Sequence, residues 1–444
     1  MKKVMKVFRY IPGLLIFIAL ANPLCAQNQV SMGIEEVITL ALEKNFDIKI
    51  AKNNTIISKN NAEPGNAGYL PTISLSAGYD YASDNTKTEF ADPSVPAIDA
   101  SGAVTENLNA GLTMNYNIFS GGSRRFTYQQ LKNLNYQSEL EEKQSIERVM
   151  LDVINQFLEV VSQYDSYQIS QESMQISLNR FERAKENYAM GNFSRLELLN
   201  AEVDLRNDSS TLIQSELSYQ KSLKTLNNLI GISPDSSYTI NGEFDYREDL
   251  KAGALIDQAL TENTDYLVAR TSLVNNELDL KIDKGGLYPS LDFSGGYNFR
   301  NTSYDANFLS SSENLGWNAG VTLSFNVFDG GRVRRAVQNS QILIESQQIA
   351  IEKTENNIKT NILNAYDDFV TNLELLALTE RNLESTTINY ERSQEAFSTG
   401  QITGLELREA QLNLINAKYN LSLQRIQTKI SEVGLYFYSG GLVE

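Results

Sequence analysis

One stretch of this chain sets a condition that few folds can meet. From Trp317 to Arg335 the sequence reads WNAGVTLSFNVFDGGRVRR, and from Leu108 to Arg125 an earlier copy reads LNAGLTMNYNIFSGGSRR. In the later copy Trp317, Ala319, Val321, Leu323, Phe325 and Val327 fall on one side of a strand, with Asn318, Gly320, Thr322, Ser324 and Asn326 on the other; successive strand side chains point to opposite faces. In the earlier copy the apolar side is Leu108, Ala110, Leu112, Met114, Tyr116 and Ile118. A glycine pair, Gly121-Gly122 or Gly330-Gly331, then breaks the strand, and a long helical pattern begins. A greasy face backed by Asn, Ser, Thr and Gly suits both the inner face of a soluble sandwich and the lipid-facing wall of a barrel. The rest of the chain has to choose.

The strands that precede each copy alternate in the same way. In 72–81 the apolar side is Ile73, Leu75, Ala77, Tyr79 and Tyr81; in 291–300 it is Leu291, Phe293, Gly295, Tyr297 and Phe299. We therefore expect strands at 72–81, 108–119, 291–300 and 315–328, each about ten residues, the length that crosses a hydrocarbon layer when tilted. Pro71 and Pro289 stand at strand starts, where a missing N–H is tolerated. Between the strands, 84–105 and 303–314 are rich in Asp, Ser and Asn and read as solvated loops. The rings of Tyr79, Tyr81, Tyr116, Phe119, Tyr297, Trp317, Phe325 and Phe328 suit aromatic girdles at a membrane interface. In lipid every backbone group must be paired, so four strands with two free edges are untenable alone. The smallest barrels use about eight strands, so several chains must pool theirs.

The amino terminus agrees with export. Lys2, Lys3, Lys6 and Arg9 precede an apolar run from Ile11 to Ala21, and Leu24-Cys25-Ala26 precedes Gln27, so residues 1–26 read as a secretory leader. Ordinary cleavage is favoured over lipidation of Cys25, because Leu24 is bulky where a lipidation signal wants a small residue. Cys25 is the single cysteine and histidine is absent. That excludes Cys/His zinc sites, Ser/His/Asp triads and Cys/His dyads, and no cofactor or metal is expected. The formal charge is −17, and removing the four basic leader residues makes it more negative still. Such a chain is no partner for nucleic acid.

Self-comparison shows a repeat. Ala41-Leu42, Asn45 and Asp47 match Ala259-Leu260, Asn263 and Asp265; LPTISL from Leu70 matches YPSLDF from Tyr288; Tyr188 to Gly191 matches Phe397 to Gly400. Residues 27–230 and 253–444 form the two repeats and 231–252 a polar linker. Between Gly122 and Met190, and between Gly331 and Ser398, there is no proline and no internal glycine. At 1.5 Å per residue, roughly seventy residues make a rod of about 100 Å, too long for a globule. Heptad spacings such as Val337, Ile344, Ile351 and Ile358 mark coiled-coil seams. Taken alone, the rods also suit a periplasmic coiled-coil tether carrying a soluble β-domain. Each rod ends at a turn: Gly191 and Gly400 suit left-handed caps, and Ser194 with Glu197 and Thr403 with Glu406 read as capping boxes. Glu406 and Glu409 are spaced i, i+3 and share a helix face. Repeated around an axis, they would make an acidic ring, although from spacing alone solvated surface charge is the favoured reading.

The YLPTISLSAGY and LYPSLDFSGGY strands, the NIFSGG and NVFDGG junctions, the two Tyr/Phe-x-x-Gly turns and their duplicated order resemble the TolC-like outer membrane efflux proteins over essentially the whole mature chain. The resemblance implies a membrane α+β fold: a homotrimer whose chains each give four strands to a twelve-stranded barrel in outer-membrane lipid, with long helices forming a periplasmic α-barrel. It further implies a Gram-negative outer membrane location and a passive, non-enzymatic exit duct for small molecules or proteins, working with a periplasmic adaptor and an inner-membrane pump. Counted from the second turn glycine, the family's constriction aspartates fall on Glu406 and Glu409 here. Its interchain lock of tyrosine, arginine and aspartate falls on Phe397, Ile402 and Glu197, so both the phenol and the guanidinium are replaced. The turns around Gly191, Ser194, Gly400 and Thr403 correspond to the adaptor-docking tips.

Overall fold

A run without proline or glycine has nothing to interrupt its hydrogen-bond ladder, and in the computed structural model both such runs are single helices of 67 residues. The structure describes residues 31–442 apart from 93, 248 and 308, so the leader with Cys25 lies outside the described residues. In chain order the elements are β1 (Ser31–Met32), α1 (Ile34–Lys44), α2 (Phe46–Asn61), β2 (Thr72–Thr88), β3 (Ile98–Ser120), α3 (Ser123–Ala189) and α4 (Arg195–Ile230). There follow β4 (Thr239–Ile240), α5 (Ala252–Glu262), α6 (Thr264–Gly285), β5 (Ser290–Tyr304), β6 (Ser311–Ser324), α7 (Arg332–Ser398) and α8 (Gly404–Ser439). The return helices α4 and α8 are 36 residues each, about half the length of the rods they fold back on. The shorter α2 and α6 pack along the remainder of α3, and α6 bridges to α7.

Where return helix meets short helix, the chain builds its main core. Val37 and Ala41 of α1, Val153, Phe157 and Leu158 of α3, and Leu226 and Ile230 of α4 are buried together with Tyr238 and Ile240. Removing any of the larger of these side chains costs about 2–5 kcal/mol. The matched asparagines hold this level in place. Asn45 accepts from the backbone N–H groups of Asp47 and Ile48 to start α2 and donates to the Leu229 carbonyl; Asn263 accepts from Tyr266 and donates to the Tyr438 carbonyl. One side chain thus caps one helix and ties down the end of another. The stretch read as a polar linker contributes to this core: β4 pairs in parallel with β1, Ser31 beside Thr239 and Met32 beside Ile240.

The same level holds a buried carboxylate. Glu147 of α3 is 3% exposed; its Oε2 accepts from the Thr264 hydroxyl at 2.7 Å, while Oε1 has no hydrogen-bond partner and lies 3.7 Å from Lys143 Nζ. Burial pushes its carboxyl up, against the opposing pull of Thr264 and Lys143. A carboxyl with a raised folded-state pKa stabilises the fold below the unfolded value, near 4.5, and that contribution is lost as pH rises through the folded value. Glu147→Gln should therefore match the parent protein in acid and exceed it in thermal stability at neutral pH. A gap that did not widen with rising pH would refute this.

The four long strands form one antiparallel sheet in the order β2-β3-β5-β6, leaving one edge of β2 and one edge of β6 unpaired. Its register aligns the apolar positions in rows: Leu75 stands opposite Leu112, Leu112 opposite Tyr297, and Tyr297 opposite Trp317. No described residue covers this face. Leu75 is 79% and Trp317 80% exposed, so among the described residues the sheet is not one half of a sandwich core.

Several strand boundaries differ from expectation. The strands are 17, 23, 15 and 14 residues long, not about ten, because pairing runs past the apolar band. Ser83 to Thr88 continue opposite Ile98 to Val104, through an irregularity at Asp84/Thr86, in a stretch whose polar composition predicts a loop. Backbone pairing needs no apolar side chains once a ladder is established. Tyr304 and Ser311 likewise shorten the second loop. In the opposite direction β6 stops at Ser324, so Phe325 and Phe328 lie beyond the strand that was expected to hold them. A shift between Asn117 and Phe119 sets Phe119, rather than Ile118, opposite Leu291 and so keeps a ring on the apolar face.

Candidate functional site

Two places carry chemistry: the bare sheet face and the tips of the two helical hairpins. On the sheet, Tyr79, Tyr81, Phe119, Tyr297 and Trp317 stand on the apolar face and are exposed, and Phe325 and Phe328 are exposed beyond the end of β6. Tyr116 is half-buried beneath Arg124, whose guanidinium lies 5.4 Å from that ring and 5.0 Å from Tyr69 and donates to the Gly68, Asn117 and Ile118 carbonyls. Arg124 therefore fastens the strand end to the helix that follows. No helix among the described residues is long and apolar enough to cross a membrane. Exposed apolar side chains line the strand face in rows, and others, such as Ile213, Ile342 and Leu378, lie along the helices.

At the tips, α3 and α7 end on left-handed glycines, Gly191 at φ 77° and Gly400 at φ 75°. Ser194 and Thr403 then start α4 and α8 as true capping boxes: Glu197 Oε2 accepts from Ser194 N at 2.6 Å, and Glu406 Oε2 from Thr403 N at 2.7 Å. These backbone donors, helped by the cap hydroxyls, hold both carboxyls below the ordinary glutamate range, so both stay ionised near neutrality. Glu409 is exposed one turn on. Phe397 faces Phe193 with ring centroids 6.5 Å apart, and Ile402 and Phe397 pack against buried Tyr390, Leu407, Ala410 and Leu414. At two of the three positions compared with the family's polar lock, Phe397 and Ile402, this chain packs apolar side chains. A cleft of about 380 Å³ lies between the tips, and Glu197, Phe397 and Thr403 line it with Arg180, Asp204 and Arg408.

Sequence reasoning missed the strongest interaction here. Arg408 of α8 reaches across to α4 and grips Asp208 with two parallel bonds of 2.8 Å, while Arg180 of α3 pairs with Asp204. Ser177 and Ser173 of α3 donate to Asp208 Oδ2 at 2.5 and 3.3 Å, and buried Gln411 donates to the Ser173 carbonyl at 3.4 Å. Burial opposes charge on Asp208, but the Arg408 and serine bonds outweigh it and leave its carboxyl below the usual range. One acid thus joins α3, α4 and α8, and with them the two hairpins. A signal was present: Arg408, Gln411 and Ile415 are spaced i, i+3, i+7, a stripe that turns inward and carries an arginine.

Comparison with known proteins fits this geometry. The family model described as "Outer membrane efflux protein" matches residues 37–232 and 255–441. The chain is similar to outer membrane protein TolC of Vibrio cholerae serotype O1, 25% identical over 43% of this chain and 44% of that protein. That match spans less than half of the relative's length. It is also similar to the probable outer membrane lipoprotein SilC of Salmonella typhimurium, 19% identical over 92% of this chain and 86% of that one. Among solved structures, the Campylobacter jejuni CmeC outer membrane channel superposes with a TM-score of 0.74 at 18% identity, over 92% of this chain and 86% of that one. The chain belongs to the outer membrane efflux protein family, and with it to the outer membrane of a Gram-negative bacterium.

Proposed function

We propose that three copies of this chain form a passive exit duct, pooling their strands into a twelve-stranded barrel and their helices into a periplasmic tunnel. The observation that carries this reading is a bare apolar sheet with two free edges, joined to helical hairpins of about 100 Å. A lone sheet of this kind satisfies neither its edges nor its grease, whereas a closed ring of sheets in lipid satisfies both. The duct works without enzymatic chemistry, taking small molecules or proteins from an inner-membrane pump through a periplasmic adaptor that docks on the tips at Gly191, Ser194, Gly400 and Thr403. Purified protein should run as a trimer in detergent and give steady conductance in planar bilayers; a silent monomer would sink the proposal.

Within this duct we assign Glu406 and Glu409 to an acidic ring at the tunnel mouth, with Glu197, Phe397 and Ile402 at the contacts between copies. Both ring carboxylates are exposed, so their charge is available to passing ions. Glutamine in place of Glu406 keeps an acceptor for the Thr403 cap, so the Glu406→Gln/Glu409→Gln variant should fold and assemble. Its cation selectivity, read as the reversal potential in a salt gradient, should fall toward zero. An unshifted reversal potential would remove the ring.

A further inference from the structure

The polar face of the sheet repeats one device at each of its three strand junctions. Gly78 of β2 stands opposite Asn109 of β3, Gly111 of β3 opposite Asn298 of β5, and Gly296 of β5 opposite Asn318 of β6. In each case the asparagine lies over the bare glycine. A Cβ built at Gly78 would meet Asn109 Oδ1 at 2.9 Å, one at Gly111 would collide with Asn298 Oδ1, and one at Gly296 would touch Asn318 Oδ1 at 3.4 Å. The amides lie along the wall and link up: Asn298 Nδ2 donates to Asn318 Oδ1 at 2.7 Å, and Asn109 Nδ2 to Asp80 Oδ2 at 3.4 Å.

The series is unfinished at both edges. On β6, Gly316 and Gly320 stand on the same polar face with open space at Gly316 and only a distant Ser294 hydroxyl, 3.9 Å, at Gly320. On β2, Asp80 and Asp84 stand on that face, and neither has a glycine opposite it inside the chain, since their partners are Asn107 and Ala103. The two empty seats are four residues apart, and so are the two acids. Keeping the apolar face continuous fixes only the parity of any pairing between the edges, because a one-residue slip would turn every side chain over. Among the registers that remain, Gly320 opposite Asp80 also brings Gly316 opposite Asp84. Moving two residues one way sets Gly320 against Gly78, and two the other way sets it against Ala82.

From this fit we infer that β6 of one copy pairs antiparallel with β2 of the next copy, with Asp80 seated on Gly320 and Asp84 on Gly316. The inference rests on the shared barrel proposed above and specifies its joint. The same register brings Val321 opposite Tyr79, Ala319 opposite Tyr81 and Leu323 opposite Ala77, large against small on the lipid side. It also seats carboxylates on the glycines at every junction between copies, where the three junctions inside the chain seat amides.

Cysteine pairs test the register directly, since Cys25 is the only native cysteine and the parent protein reports its background. Asp80→Cys/Gly320→Cys and, separately, Asp84→Cys/Gly316→Cys should be converted by a mild oxidant from monomer to covalent trimer on non-reducing gels. The shifted pairs Gly78→Cys/Gly320→Cys and Asp80→Cys/Asn318→Cys should stay monomeric on the same gels. Two matched pairs guard against one that fails to fold. Cross-linking of a shifted pair instead, or of no pair in protein that still runs as a native trimer, would overturn this register. Protein that runs as a native monomer throughout would overturn the shared barrel, and the joint with it.

Discussion

Replacing Arg408 with methionine should destabilise the helical shaft by about 3–5 kcal/mol, because Asp208 would keep its burial and lose its cation. The two serines alone would then face an uncompensated carboxylate. The informative comparison is the double variant Arg408→Met/Asp208→Leu, which removes both charges and leaves apolar groups of similar bulk. Removing a whole buried pair is often neutral or stabilising, so the double variant should recover most of the loss. The readout is the temperature at which helical circular dichroism is lost from the assembled protein. If the double variant melted as low as the single, the cluster would be contributing stability in its own right. Asp204→Asn should do less, since that carboxylate is about a quarter exposed.

The second large effect separates two glycines that look alike in sequence. Gly121 and Gly330 each open a strand-to-helix junction, with φ of 64° and 68°. A Cβ at Gly121 would run into the backbone of Gly285, with the carbonyl carbon at 2.9 Å and the oxygen nearer still. At Gly330 a Cβ would meet nothing within 4 Å. Gly330→Ala should therefore cost only the left-handed penalty, about 1–2 kcal/mol. Gly121→Ala adds a collision of the new methyl with the Gly285 main chain that no rotamer change can relieve, and should cost several kcal/mol more or prevent assembly. Yield of heat-resistant oligomer from membranes measures both. Equal yields from the two variants would contradict the packing difference.

Much of the architecture was legible because it rests on local rules. Proline-free heptads gave rods whose ends agree within a residue with the helices α3 and α7, and the Ser194/Glu197 and Thr403/Glu406 spacings gave the caps. Alternation gave the strand faces, down to the row from Leu75 to Trp317. What it did not give was strand length, since the polar continuation beyond Ser83 has no period to announce it. The long-range partners stayed hidden for a related reason. Nothing local tells Asp208 that an arginine 200 residues away will turn inward to meet it. Sequence also marked Glu197 and Glu406 as twins, and the structure keeps them so: each caps its own helix with nearly the same bonds. Any difference in their service to the duct has to come from the surroundings that neighbouring copies create.

The order of strands in the sheet has a consequence for how such a chain survives its own synthesis. β3 and β5 are neighbours, yet the whole first hairpin of helices separates them along the chain. Helical hairpins close through nearby contacts and form early, whereas a ladder joining such distant segments forms late. Until it does, newly made strands travel through the periplasm with unpaired amides beside exposed leucine and tryptophan, the pattern that seeds fibrils. Covering the strands during that interval, while leaving the helices alone, is what would keep this hazard from being realised.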